Sequence, residues 1–191
     1  MKKIILASSS LQRKLILAIT GLQFEVVSST YEEDHSLTSD PVELVKLLSK
    51  KKGENVAKKY KDAIIISADQ VIVKDNQIFG KPHTSDVAIK MLKTLNGGKH
   101  SVITAFTIID TFTKRSVTRV VTSDVFFKKC TEDEIENYVL KDQPLDHAGG
   151  YKIQSLGAVL IEKIEGDYFN IVGLPLSVLV EELKKFNIQV L

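Results

Sequence analysis

A chain of 191 residues, 43% hydrophobic and 26% charged, can bury one substantial core but falls short of two large domains. Lys and Arg number 26 against 24 Asp and Glu, so net charge gives no argument for a nucleic-acid or membrane partner, and any anion site has to come from local geometry. The single cysteine, Cys130, rules out an internal disulfide, and no CxxC or Cys/His cluster frames a zinc site.

The chain starts MKKIILASSS. A secretory signal also starts on lysines, but its apolar core runs at least ~7 residues, longer than Ile4–Ala7. No run approaches the ~20 apolar residues of a membrane span, so a cytoplasmic location and no membrane partner are expected. Lys3–Ala7 reads as a buried strand and Leu11–Ile19 as a helix, with Ser8–Ser10 supplying N-caps and Gly21 a stop. Phe24–Ser28 reads as a second strand, followed by an acidic, polar loop over 31–39. Asp40-Pro41-Val42-Glu43 then combines an N-cap, a proline at the first helical position and a capping-box glutamate, opening a helix to about Tyr60.

Ala63–Val73, AIIISADQVIV, has the β-branched density of a central strand. A turn at Asp75-Asn76 leads to a short strand, Gln77–Phe79, and then to Gly80-Lys81-Pro82. Thr84–Leu95 is a third helix. His100–Asp110 and Ser116–Phe127 pair as a long hairpin. Thr131–Leu140 is a fourth helix, with Thr131 and Glu134 in capping-box spacing. Gly157–Ile164 reads as a further strand and Pro175–Phe186 as the last helix. With no internal repeat, low-complexity tract or linker, the pattern predicts one α/β domain over 1–191 with a mixed sheet and flanking helices.

Several charged residues sit where a plain core or surface would not put them. A strand running through a serine-rich turn into a helix makes an anion corner, because free N–H groups and the helix dipole face it and Arg13 adds a forked donor. Ordinary serine capping beside a solvated arginine would produce the same pattern. Asp69 interrupts an apolar strand, and a buried carboxylate needs a metal, a cation or a catalytic task unless it reaches solvent at a bulge. Lys52 continues the i, i+4 line Leu44, Leu48, Lys52, Val56, and either snorkels out or works inside.

Lys81 lies between a glycine that permits close approach and a stiffening proline. Glu32 and Glu33 follow the second strand in a loop that could simply be solvated. Together these residues are the inventory for a metal-bound polyphosphate, carboxylates for a hard divalent cation and Lys and Arg for phosphate oxygens. Competing motifs fail. Gly98-Lys99 lacks the rest of a P-loop, there is no GxGxxG and no GxSxG, and His35, His83, His100 and His147 show no HExxH spacing. No basic surplus or stacking motif supports nucleic-acid binding.

These blocks, taken in order, resemble the Maf family, nucleoside triphosphate pyrophosphatases once described as septum-formation inhibitors. The resemblance spans nearly the whole chain: LASSSLQR (6–13), Glu33, the Lys52 helix, SADQVIV (67–73), FGKP (79–82), LNGGKHSVIT (95–104), PLDHAGGYKIQSLGA (144–158) and IEGDYFNIVGLPL (164–176). It implies an elongated fold like the inosine triphosphate pyrophosphatases, with a cleft between two lobes, and a homodimer. It also implies cleavage of a nucleoside triphosphate to the monophosphate and pyrophosphate with a divalent cation, Mg²⁺, Mn²⁺ or Co²⁺.

By the same resemblance Asp69 is the proton acceptor and, with Glu33, a metal residue. Ser8, Arg13, Lys52 and Lys81 handle phosphate. The chain departs from the family pattern where S-P-R-R becomes Ser10-Leu11-Gln12-Arg13, where D-T becomes Asp69-Gln70, and where a lysine becomes His147. Positions matching Gln12, Gln70 and Gln154 are associated in the family with substrate choice. Gln70 and the missing arginine lean towards 7-methyl-GTP, and Gln154 towards dTTP and UTP, for a weak net expectation of 7-methyl-GTP. The alternative is a nucleotide-binding regulator of cell division with little or no turnover.

Overall fold

The computed structural model describes residues 2–34 and 36–191; His35, one of the histidines weighed above, lies outside the described residues. The elements are β1 (Lys3–Leu6), α1 (Leu11–Ala18), β2 (Glu25–Val26), α2 (Pro41–Ala57), β3 (Ala63–Lys74), β4 (Gln77–Phe79), α3 (Ser85–Leu95), β5 (Lys99–Asp110), β6 (Ser116–Phe127), α4 (Glu132–Asp142), β7 (Ile161–Glu165), α5 (Tyr168–Val172) and α6 (Leu176–Lys184), with 3₁₀ turns at Ala148–Gly150 and Leu156–Leu160. The sheet is mixed. Its hydrogen-bonded order is β2-β1-β3-β5-β6-β7, with β4 on β3. β1 pairs parallel with β2 and β3, whereas β3 with β4 and β6 with β7 are antiparallel. The α/β class with helices around a mixed sheet is therefore as the sequence indicated.

The chain forms two compact units, the first from Met1–Asp69, Thr104–Val121 and Gly173–Leu191, the second from Gln70–Ile103 and Thr122–Val172. The first buries a cluster of Ile5, Ala7, Val56, Ala63, Ile65 and Ile109. β1 and β3 enter it as near-continuous apolar runs because parallel strands are covered on both faces. The second packs Ile72, Leu92, Leu95, Phe127, Tyr138, Val139 and Tyr151, among others, into its own core.

Local chemistry explains most boundaries. Ser10 caps α1 by accepting from Arg13 N, and Thr131 with Glu134 forms the full capping box of α4. Asp75 and Asn76 both take positive φ, 49° and 61°, as a two-residue turn between β3 and β4 of the primed kind requires. Three expectations need correction. Asp40 caps α2 through Val42 N and Glu43 N, but Glu43 binds Lys46 Nζ at 2.7 Å instead of reaching back in a capping box, and α2 stops at Ala57.

The apolar run predicted as a strand over Gly157–Ile164 is a 3₁₀ turn up to Leu160, and only then β7. A short apolar run does not separate strand from buried turn by periodicity. The short helix α5 was not foreseen. Its start is made by Asp167 Oδ1, which accepts from Phe169 N at 2.7 Å. Among the described residues no helix is long and apolar enough to cross a membrane.

Candidate active site

In the first unit, β3 and α2 bring together the charged residues that looked misplaced. Asp69 is buried at 4% exposure in the middle of β3, so it neither ends the strand nor reaches solvent at a bulge. Lys52, at 9%, lies on the buried face of α2 with Leu44, Leu48 and Val56 and does not snorkel out. Its Nζ donates to Asp69 Oδ1 at 2.5 Å and lies 2.9 Å from Glu33 Oε1. One ammonium thus sits between two carboxylates from separate stretches of chain, which offsets the cost of burying the aspartate.

Arg13 approaches the same group. Its Nη1 donates to Ala68 O at 2.8 Å and its Nε to Gly173 O at 3.0 Å. Burial pulls the guanidinium below its ordinary value, while the charges of Asp69 and Glu33 act the other way. Arg13 is therefore an anchored cation and not a solvated one. Two of its donors hold the carbonyl next to Asp69 and the chain before α6. Beside it, Ser8 is buried and its Oγ accepts from Ser10 N at 3.2 Å, while Gln12 Oε1 accepts from Ser10 Oγ at 3.3 Å.

Asp69 Oδ2 is buried and takes no hydrogen bond among the described residues, and Glu33 supplies a second carboxylate on the same lysine. Hard oxygens with few protein ligands suit Mg²⁺, which keeps waters and shares its shell with substrate phosphates. No group of three or more His, Cys, Asp or Glu able to hold an ion occurs among the described residues. A two-carboxylate site completed by phosphate oxygens fits; an all-protein metal cage does not.

The second unit carries the other candidates. Lys81 is exposed in the 80–82 turn, and its charge acts on His147, whose pKa burial lowers first and Lys152 and Lys81 lower further. Gln154 is exposed after the 3₁₀ turn at 148–150. Gln70 is engaged in the fold. Its Nε2 donates to Asn170 O at 2.8 Å and to Ile171 O at 3.1 Å, tying β3 to α5. Sequence reasoning passed over Asn170, which is fully buried and donates through Nδ2 to Val102 O and Ser123 Oγ. It also passed over the packing of Ser49 and Gly53 on Ser67. A glycine inside a good helix was the signal available for that contact.

This arrangement, a buried lysine holding two carboxylates beside an anchored arginine in an α/β fold, gathers charges of both signs at one place. The chain belongs to the Maf-like protein family, whose pattern matches residues 3–186. It is 44% identical over 191 residues to a dTTP/UTP pyrophosphatase of Dictyoglomus turgidum, covering 100% of this chain and 99% of that one. It is 45% identical to the dTTP/UTP pyrophosphatase of Acetivibrio thermocellus over 198 residues, covering 100% and 98%. A third such protein, from Bacillus cereus, is 42% identical over 190 residues, covering 100% and 98%. Among solved structures, the Staphylococcus aureus Ham1 protein overlaps 66% of this chain and 72% of its own at 12% identity, with a TM-score of 0.48. The expectation of 7-methyl-GTP finds no support in these relatives, whose names carry dTTP and UTP.

Proposed function

We propose that this protein hydrolyses dTTP and UTP to the monophosphate and pyrophosphate. Its class is that of the nucleoside triphosphate diphosphatases, the class to which the names of its full-length relatives belong. The observation that carries the reading within this chain is the Lys52–Asp69–Glu33 cluster, one buried cation between two carboxylates, with Asp69 Oδ2 taking no hydrogen bond among the described residues. Asp69 takes the proton of a water that attacks the α-phosphorus. A new P–O bond forms, the bond to the bridging oxygen breaks, and pyrophosphate leaves.

Lys52 and Arg13 stabilise charge on the phosphates as they separate. Glu33 and Asp69 would hold a divalent cation, which neutralises phosphate charge when bound. The pyrimidine preference rests on the relatives. The Gln70 amide, the feature that leaned towards a methylated guanine, donates to backbone carbonyls of α5 and so has an architectural role.

The test is pyrophosphate release from dTTP, UTP, CTP, GTP and 7-methyl-GTP with Mg²⁺, Mn²⁺ or Co²⁺, run beside Asp69→Asn. Release fastest from dTTP and UTP, dependent on metal and reduced at least ~10²-fold in Asp69→Asn, is the expected result. Preference for 7-methyl-GTP would overturn the substrate, and nucleotide binding without release would turn the reading into that of a regulator.

A further inference from the structure

The contact between α2 and β3 has an unusual composition immediately beside the Lys52–Asp69 pair. Gly53 and Ser49 are buried on α2, and Ser67 is buried on β3. Ser67 Oγ donates to Ser49 O at 2.7 Å, and Ser49 Oγ lies 3.0 Å from Thr107 Oγ1, which is 2.9 Å from Thr118 Oγ1. A Cβ on Gly53 would stand 2.6 Å from Ser67 Oγ and 3.1 Å from Ile109 Cδ1. The helix therefore rides so close to the strand that a Cβ at position 53 would strike the Ser67 hydroxyl. Alanine is the better helix former, so helix propensity does not account for a glycine here.

Ser67 and Asp69 are two residues apart on β3 and so point from the same face. Gly53 and Lys52 are consecutive on α2. The same strand face thus meets the same helix twice, once at Ser67–Gly53 and once at Asp69–Lys52. We propose that Gly53, closed down on Ser67, is a positioning device that sets the reach of the Lys52 ammonium onto Asp69 and Glu33. It rests on the catalytic reading of that cluster. Moving the helix outward by the width of a methyl group withdraws Nζ from both carboxylates, while Gly53 and Ser67 themselves have no assigned contact with substrate.

The experiment uses Gly53→Ala, Ser67→Ala and the double variant, with fold checked by circular dichroism. Gly53→Ala is expected to lower kcat at least ~10-fold while KM stays within about twofold, since small misplacements near reacting groups cost that much. Ser67→Ala removes the hydroxyl that the new Cβ would strike, leaving 3.5 Å to Ser67 Cβ and 3.1 Å to Ile109 Cδ1, the end of a flexible side chain that needs to give only a few tenths of an ångström, so the double variant should recover the kcat of Ser67→Ala alone. Wild-type kcat in Gly53→Ala, or a loss that the double variant does not repair, overturns the proposal.

If Gly53→Ala does not fold, Ser67→Cys presses the larger sulfur into the same contact from the strand side. A lowered kcat supports the proposal and an unchanged one overturns it. The Lys52 ammonium signal in ¹⁵N-lysine spectra, assigned with Lys52→Arg, reports position without turnover. Should the wild type release no pyrophosphate, a signal displaced in Gly53→Ala and restored in the double variant upholds the positioning role while the activity reading fails. A signal that never moves overturns the positioning role.

Discussion

Lys52 Nζ lies 2.5 Å from Asp69 Oδ1, and both side chains are largely withdrawn from water. Removing one partner of such a pair strands the other charge in the interior. Lys52→Met is expected to lower the free energy of unfolding by about 3 kcal/mol, and Lys52→Met combined with Asp69→Leu to be more stable than Lys52→Met alone. Urea unfolding of the three proteins at pH 7 measures it. Equal stability of Lys52→Met and wild type would show that the two charges do not depend on one another.

Glu33 completes the same group from a more open position, with 38% of its side chain accessible. Screening by water makes its ion pair worth little to the fold, so Glu33→Gln should change stability by under ~1 kcal/mol. On the proposed function Glu33 helps to hold the divalent cation. The Mg²⁺ concentration for half-maximal pyrophosphate release should then rise at least ~10-fold in Glu33→Gln, because that reading loses one charged hard-oxygen ligand. An unchanged metal titration would remove Glu33 from the site.

The second unit holds a buried histidine that makes stability depend on pH. His100 is 2% exposed, its Nε2 lies 2.9 Å from Tyr151 Oη, its Nδ1 has no hydrogen-bond partner among the described residues, and Phe127 and Tyr151 meet its ring edge-on. Burial first, and then the charge of Lys74, pushes its pKa down to about 4, with Asp124 acting the other way. In the unfolded chain the imidazole titrates near its ordinary value of about 6.5, so between these values the unfolded state binds a proton that the folded state does not. Stability is therefore complete above about pH 6.5 and declines by about 3 kcal/mol as pH falls to about 4. His100→Gln keeps a partner for Tyr151 without titrating, and its urea midpoints should lose most of this slope.

Gly166 has φ 114°, and a Cβ there would lie 2.7 Å from Ser123 Oγ. That hydroxyl donates to Asp167 O at 3.1 Å and accepts from Asp167 N at 3.0 Å and from Asn170 Nδ2 at 3.0 Å. Gly166→Ala meets both an unfavourable backbone conformation and the centre of this network, and is expected to cost about 2 kcal/mol. A thermal melt that leaves Tm unchanged would mean that the β7–α5 junction absorbs the methyl group.

Much of this architecture is legible from local chemistry. Thr131 and Glu134 declare the start of α4, Asp75-Asn76 declares a turn, and the i, i+4 line of Leu44, Leu48 and Val56 places Lys52 on a buried face. Asp69 stands out because a carboxylate inside AIIISADQVIV conflicts with its surroundings. What spacing does not carry is convergence. Nothing local says that Glu33, 19 residues before Lys52 by number, returns to within 2.9 Å of it, or that Arg13 takes the carbonyl of Gly173. The failure at Gly157–Ile164 has a different cause, since its apolar residues satisfy a buried 3₁₀ turn as well as a strand.

The order in which the chain is made acquires a meaning from the way it is divided. The second unit is complete once Val172 has been synthesised, whereas the first still lacks Gly173–Leu191, including α6 with its buried Leu179 and Leu183. Arg13 is translated early, yet the carbonyl that receives its Nε lies 160 residues downstream. On the ribosome, the corner that opens the chain therefore stays unfinished until nearly everything else has emerged. A message cut short after Val172 would yield a protein with one finished unit and without the Gly173 carbonyl that receives Arg13 Nε.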